Sequence, residues 1–180
     1  RFRATALREG GENASYSREF AFSKSTGRPA VLNTKPNDSY TFEGASLLVD
    51  GYHSRPVFTS GAWLGYLDEP LDVTIDMGGE QSYRSVELET LAEKGDWIFP
   101  PSSVTVWVSD NGTDFTEVAS VSVPEAKAGD ADGIGRYRMQ FPETSARYLK
   151  VVAQNAAAIP AWHPGAGSKG FLFVDEVVVE

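Results

Sequence analysis

The chain contains no cysteine, only two histidines and two methionines, and far fewer basic than acidic side chains. Each shortage excludes something. Without cysteine there is no disulfide scaffold, no zinc ribbon and no thiol nucleophile. The compartment stays open, because a secreted domain with a good core can do without disulfides. The two histidines, His53 and His163, are too far apart in sequence for an H-E-x-x-H helix, and no G-x-S-x-G, Walker or Rossmann pattern occurs. Sixteen Lys+Arg against 25 Asp+Glu leave a formal charge of −9, the wrong sign for a nucleic-acid surface. No apolar run approaches the ~18 residues that span a bilayer. Helical periodicity is also nearly missing. The chain opens Arg1-Phe2-Arg3, with neither Met nor signal peptide, and reads as a piece of something longer.

What is present is alternation. Leu71, Val73, Ile75 and Met77 alternate with Asp72, Thr74 and Asp76, and Val104, Val106 and Val108 with Thr105 and Trp107. Similar runs follow over 115–123, 136–141, 147–153 and 171–179. Gly78-Gly79, Pro100-Pro101, Asp110-Asn111-Gly112 and Pro142-Glu143 punctuate them. Many short strands between such turns predict an all-β antiparallel sandwich or barrel. Asn111-Gly112 is the strongest hairpin signal, since both residues tolerate positive φ. Residues 1–27 read as the end of a preceding small β-domain, a hairpin followed by a linker from Ser23. Residues 28–180 read as the sandwich. The stretch from Pro124 to Gly135, small and Gly-containing, reads as a long mobile loop.

No catalytic residue is expected in this chain. Asp68-Glu69 precedes Pro70 and reads as a solvated turn. Asp175-Glu176 lies in a strand, where neighbours point to opposite faces if the strand is regular. Asp130-Ala131-Asp132-Gly133 begins like a calcium loop but lacks the distal Glu of an EF-hand.

Aromatic residues in loop contexts carry more. Trp97 stands in Lys94-Gly95-Asp96-Trp97-Ile98-Phe99-Pro100-Pro101, and Trp162 and His163 in Ile159-Pro160-Ala161-Trp162-His163-Pro164-Gly165. Both segments fall at strand ends, where a sandwich gathers its loops. An indole is a flat apolar platform for the C–H face of a sugar, and His and Arg donate to hydroxyls. Trp97, Trp162 and His163, with Arg55 and Tyr66, are therefore the candidate sugar-binding residues. The competing reading is that both indoles plug the end of the sandwich and His163 bonds a loop carbonyl. Trp63 and Trp107 read as core or sheet packing.

Leu48-Val49-Asp50-Gly51, Gly61-Ala62-Trp63, Val73-Thr74-Ile75-Asp76-Met77-Gly78, Ser103 to Phe115, Arg147-Tyr148-Leu149-Lys150-Val151 and Phe173-Val174-Asp175-Glu176-Val177 together resemble the discoidin, or coagulation factor V/VIII C-type, domain over about residues 28 to 180. The resemblance implies a galactose-binding-domain-like jelly-roll sandwich. Glycan-binding members form family 32 of the carbohydrate-binding modules. Their usual calcium site maps onto Asp50 and Glu176, an oxygen-only donor pair that suits Ca²⁺. Tyr52 departs from the pattern where many members carry another Asp or Asn, and Ser54 is the nearest hydroxyl. The alternative is that Asp50 caps its own turn and Glu176 pairs with an Arg.

A narrower likeness joins the Trp97 segment, the Ile159–Gly167 loop and Phe173-Val174-Asp175-Glu176 to the C-terminal modules of Bacteroidetes-type family 20 glycoside hydrolases, β-N-acetylhexosaminidases also called chitobiases. It implies an upstream catalytic domain in the same polypeptide and periplasmic or cell-surface residence; the chain itself is expected to be a monomer. The expected function is a non-catalytic module holding a hexosaminidase near GlcNAc-, GalNAc- or Gal-containing glycans. The alternative is a scaffold domain without a ligand. Membrane docking ranks behind both, because the Trp loops carry few Lys or Arg beside their apolar tips.

Overall fold

The computed structural model describes residues 20–180 in full and, of the first 19, the backbone of two strands, β1 (Phe2–Ala6) and β2 (Ala14–Arg18), which pair antiparallel. The remaining strands are β3 (Ala30–Leu32), β4 (Leu64–Tyr66), β5 (Leu71–Ala92), β6 (Ser103–Ser109), β7 (Thr116–Ser122), β8 (Gly133–Gln154) and β9 (Leu172–Val179). They form one antiparallel system of seven strands in the order β4-β9-β5-β8-β6-β7, with β3 added beside β5. Among the described residues the helices are all short 3₁₀ turns.

Two long strands build the sandwich. The sequence breaks at Gly78-Gly79 and at Pro142-Glu143 predict strand ends. Instead, β5 and β8 run through these positions for 22 residues each. The register between them slips from Asp76↔Tyr148 to Gln81↔Ala146, and again from Tyr83↔Thr144 to Ser85↔Gln140. Gly78 takes φ 79° at the first slip, a conformation that favours glycine. The paired strands bend there. Their Leu71–Asp76 and Tyr148–Ala153 ends pair with β3 and β6; their Ser85–Ala92 and Gly133–Gln140 ends lead to β9 and β4.

The core lies between these two layers. Leu71, Val73, Ile75 and Met77 line one layer beside Val104, Val106, Leu149 and Val151, and Val86, Leu88, Val174 and Val177 close the core from the other. The predicted alternation is realised here, with Thr105 and Trp107 turned outward. Asn111 organises the β6–β7 turn as expected of a hairpin, although the loop spans six residues: its side-chain oxygen accepts from the amides of Thr113 and Asp114. Trp63 is fully buried with Leu91, Ile98 and Phe173.

Two loop expectations change. The expected linker lies along the sandwich over residues 21–28: Ala21 donates to Gly51 O, Lys24 to Val179 O, Gly27 to Val49 O, and the Ser25 hydroxyl to Val177 O at 2.6 Å. The stretch after Pro124 is pinned rather than loose. Buried Lys94 reaches the Asp130 carbonyl at 2.9 Å and the Asp132 carboxylate, and Trp162 Nε1 holds the Ala126 carbonyl at 2.9 Å. From Gly133 the chain is already strand β8.

Candidate functional site

Trp97, Trp162 and His163 come together at one end of the sandwich, and His163 is the centre of the group. Its ring lies 5.9 Å from Trp97, 5.5 Å from Trp162 and 5.5 Å from Phe99, edge-on to each. Such T-shaped contacts place the positive edge of one ring on the negative face of another. Nε2 is 2.9 Å from the Lys94 carbonyl, so it carries the proton; Nδ1 accepts the Gly165 amide at 3.0 Å. Both nitrogens are thus used inside the protein, and His163 is only 7% exposed. Its place is that of a pin between the two Trp loops, not of a surface donor.

The loops are shaped to seat the indoles. Trp97 ends a 3₁₀ turn with φ 64°, a strained conformation for an aromatic residue. Its carbonyl accepts from Phe171, whose own carbonyl accepts from Phe99. A Cβ at Gly165 would stand 2.8 Å from the Trp97 ring, and one at Gly170 2.7 Å from the Phe99 ring, so both glycines let a ring lie on bare backbone. Trp97 stays 43% exposed and Trp162 39%. Beside Trp162 a depression of about 440 Å³ opens, lined by Phe99, Pro100, Val123, Ala126, Ala158 and Pro160 among others. That size suits one or two sugar rings. Its wall is mostly apolar, with Ser102 and Glu125 as the polar side chains, and the Trp162 indole N–H is already committed to Ala126.

The other candidates lie elsewhere. Tyr66 is completely buried in the core, where burial pushes its hydroxyl pKa up, and it offers nothing at the surface. Arg55 is exposed, with its carbonyl accepting Trp63 Nε1 at 2.9 Å, but it is not part of the His163 group. Sequence reasoning missed Phe99, Lys94, Gly165 and the 123–126 segment. The density of Gly and Pro around the two tryptophans was the available signal.

Asp50 and Glu176 are brought close by a different corner. The register of β9 against β5 passes from Leu88↔Val177 to Thr90↔Val174, so Asp175 and Glu176 together oppose Glu89. This is a β-bulge, and it overturns the expectation from a regular strand: both carboxyls turn inward and are buried, as is Glu89. Asp175 accepts the Ser54 amide at 2.7 Å and Glu176 the Gly51 amide at 3.2 Å. Burial pushes the Asp175 carboxyl up to about 8; burial, then the charges of Asp50 and Asp175, push Glu176 up to about 9. Asp50 does cap its own turn, accepting Tyr52 N–H at 2.7 Å.

The fit to calcium rests on one observation. Glu176 Oε1 is buried without a hydrogen-bond partner, the state of an oxygen that a cation would satisfy. Among the described residues no three acidic or histidine side chains converge as a metal cage. An ion would therefore rest on the Asp50 and Glu176 carboxylates, with backbone carbonyls and water completing the shell. Of the nearby carbonyls, Val49 O and Gly51 O each already accept one amide.

The architecture defines a discoidin-like β-sandwich. The F5/8 type C domain profile matches residues 32–169, and the chain belongs to that family. Its fold is shared with chitosan-binding module 1 of a chitosanase/glucanase from Paenibacillus sp. IK-5, at TM-score 0.57 and 17% identity over 89% of this chain and 99% of that one. A family 32 module from Clostridium perfringens, in complex with GalNAc-β-1,3-galactose, matches at TM-score 0.54 and 16% identity over 84% and 93%. A fucose-binding module from Streptococcus pneumoniae matches at TM-score 0.53 and 22% identity over 88% and 94%. No curated protein matches the chain.

Proposed function

We propose that this domain is a non-catalytic carbohydrate-binding module for glycans containing GlcNAc, GalNAc or galactose, carried by a secreted or periplasmic β-N-acetylhexosaminidase. The observation that carries the reading is the pair of half-exposed indoles, Trp97 and Trp162, held on either side of a buried His163, with an open depression next to the Trp162 loop. Similar folds that bind chitotriose, GalNAc-β-1,3-galactose and fucose support it. The indole faces supply stacking, while His163 fixes their geometry. A single module of this kind binds weakly; a Kd of ~1 mM is only about −4 kcal/mol. Tethering to an enzyme raises the effective concentration of substrate all the same. The module works as a monomer, and a calcium ion on Asp50 and Glu176 would tie the Asp50–Gly51 turn to β9 without touching the sugar.

One observation favours a scaffold role instead: the polar atoms of His163 and the Trp162 indole N–H are all spent within the protein, and the depression is lined mostly by Pro, Ala and Val, with Ser102 and Glu125 its only polar side chains among the described residues. Tryptophan fluorescence separates the two. The chain is titrated with GlcNAc, chitobiose, GalNAc and galactose to tens of millimolar, alongside Trp97→Ala and Trp162→Ala. A saturable change abolished by one folded variant establishes the module and its platform. A flat response to every sugar, with both variants destabilised, leaves the scaffold role.

A further inference from the structure

The outward face of β6 and β8 holds a second concavity that the Trp97 and Trp162 loops do not touch. It has a volume of about 420 Å³ and is lined by Trp107, Phe115, Lys150, Thr105, Thr113 and Gln154, with Val152 at its floor. Trp107 lies opposite Lys150 across the strand pair, and Thr105 opposite Val152. The alternation of β6 sends Val104, Val106 and Val108 into the core and leaves Trp107 half-buried on the outer face. Lys150 Nζ stands 4.3 Å from the centre of the Phe115 ring, which anchors the ammonium beside the indole. Among the described residues no carboxylate pairs with Lys150. Glu117 on β7 stands opposite Trp107 in register but does not line the concavity.

We propose that this face is a second saccharide site, specific for an acidic glycan: a hexuronate ring stacks on Trp107 while its carboxylate meets Lys150. The proposal rests on the reading of the domain as a carbohydrate-binding module. The chemistry decides the class of ligand. The wall is rich in donors, with an ammonium, an amide and two hydroxyls, and holds no carboxylate, in a protein whose overall charge is −9. The amide and the hydroxyls both donate and accept, so they serve the hydroxyls of any sugar; the Lys150 ammonium only donates and has no acid partner, and it is this group that selects a uronate, whose carboxylate it meets in a charge-assisted hydrogen bond. Trp107 and Val152 meet the apolar face of the sugar, while the Phe115 ring holds the ammonium.

The test is nuclear magnetic resonance of the four indole N–H signals in the intact chain, with digalacturonic acid as probe and galactobiose as its neutral counterpart. The Trp107 signal is assigned by its loss in Trp107→Ala. The expected result is a saturable shift of the Trp107 signal with the acid, at least fivefold weaker with Lys150→Gln and weaker again at high salt, while the Trp97 and Trp162 signals stay still. No movement of the Trp107 signal at tens of millimolar acid overturns the proposal, and so does an equal response to galactobiose. If Trp107→Ala fails to fold, Trp107→Phe, which keeps a ring in place but has no indole N–H, assigns the signal instead, and Lys150→Gln is read against it. A Trp107 response with silent Trp97 and Trp162 towards every neutral sugar removes the loop site proposed above and leaves this one standing.

Discussion

The amide of Gly51 donates to the carboxylate of Glu176 at 3.2 Å, joining the Asp50–Gly51 turn to the last strand across 125 positions of chain. Asp175 does the same for Ser54. Burial keeps protons on both carboxyls, to about pH 8 for Asp175 and about pH 9 for Glu176. In the unfolded chain such groups titrate near pH 4. Between these limits the folded chain binds more protons, so stability from the pair is fully present below about pH 4 and is lost as pH rises through 8 and 9. Each group still protonated contributes a slope of about −1.4 kcal/mol per pH unit. In EDTA the unfolding midpoint should therefore fall between pH 6 and pH 9, and Glu176→Gln should flatten part of the fall. A midpoint that does not move over this range means that neither carboxyl is protonated in the folded chain.

Calcium would take the place of the Glu176 proton. Binding to the folded state alone stabilises by about 2.7 kcal/mol at a hundredfold excess over Kd. Because the ion competes with a proton, its effect grows with pH. Millimolar calcium should raise the melting temperature more at pH 8.5 than at pH 5.5. Asp50→Asn and Glu176→Gln, which keep the turn and the Gly51 contact, should each abolish the increase. Identical melting curves with calcium and with EDTA at pH 8.5 would mean that the corner is held by protons alone.

His163→Ala removes the pin between the two Trp loops. It leaves the Lys94 carbonyl and the Gly165 amide without their partner and opens a void among three rings. The cost should be about 2–4 kcal/mol in denaturant unfolding. Tryptophan emission should shift to the red as Trp97 and Trp162 gain water. A loss under ~0.5 kcal/mol with unchanged emission would show that the loops hold their shape without the imidazole.

Much of this was legible in the sequence wherever one side chain in two is apolar. Val104, Val106 and Val108 and the run from Leu71 to Met77 gave up their buried faces directly. The pairing of Trp97 with Trp162 and His163 followed from the rule that loops gather at sandwich ends. Bends and bulges stayed hidden, because they arise from register between distant strands. Gly78-Gly79 looks like a strand end although β5 continues past it. Asp175-Glu176 looks like one residue in and one out, and only the two-against-one match to Glu89 buries both. The role of His163 was likewise open. Its partners are a carbonyl and an amide, which every residue carries and no sequence singles out.

Gly165 offers the sharpest separation of platform from plug. A methyl group there would stand 2.8 Å from Cη2 and Cζ2 of Trp97, so the indole must move off the backbone on which it lies. Gly165→Ala should cost about 1–3 kcal/mol, the usual range for overpacking. Gly95, in the same Trp97 loop, has nothing within 4 Å of an added methyl, and Gly95→Ala should be nearly silent. If Trp97 is a sugar platform, Gly165→Ala weakens the saccharide response several-fold while the folded fraction at room temperature stays complete, and Gly95→Ala leaves the response intact. If both variants bind as the parent chain does, the position of the Trp97 indole does not matter to the ligand, and Trp162 with its neighbouring depression must carry the site alone.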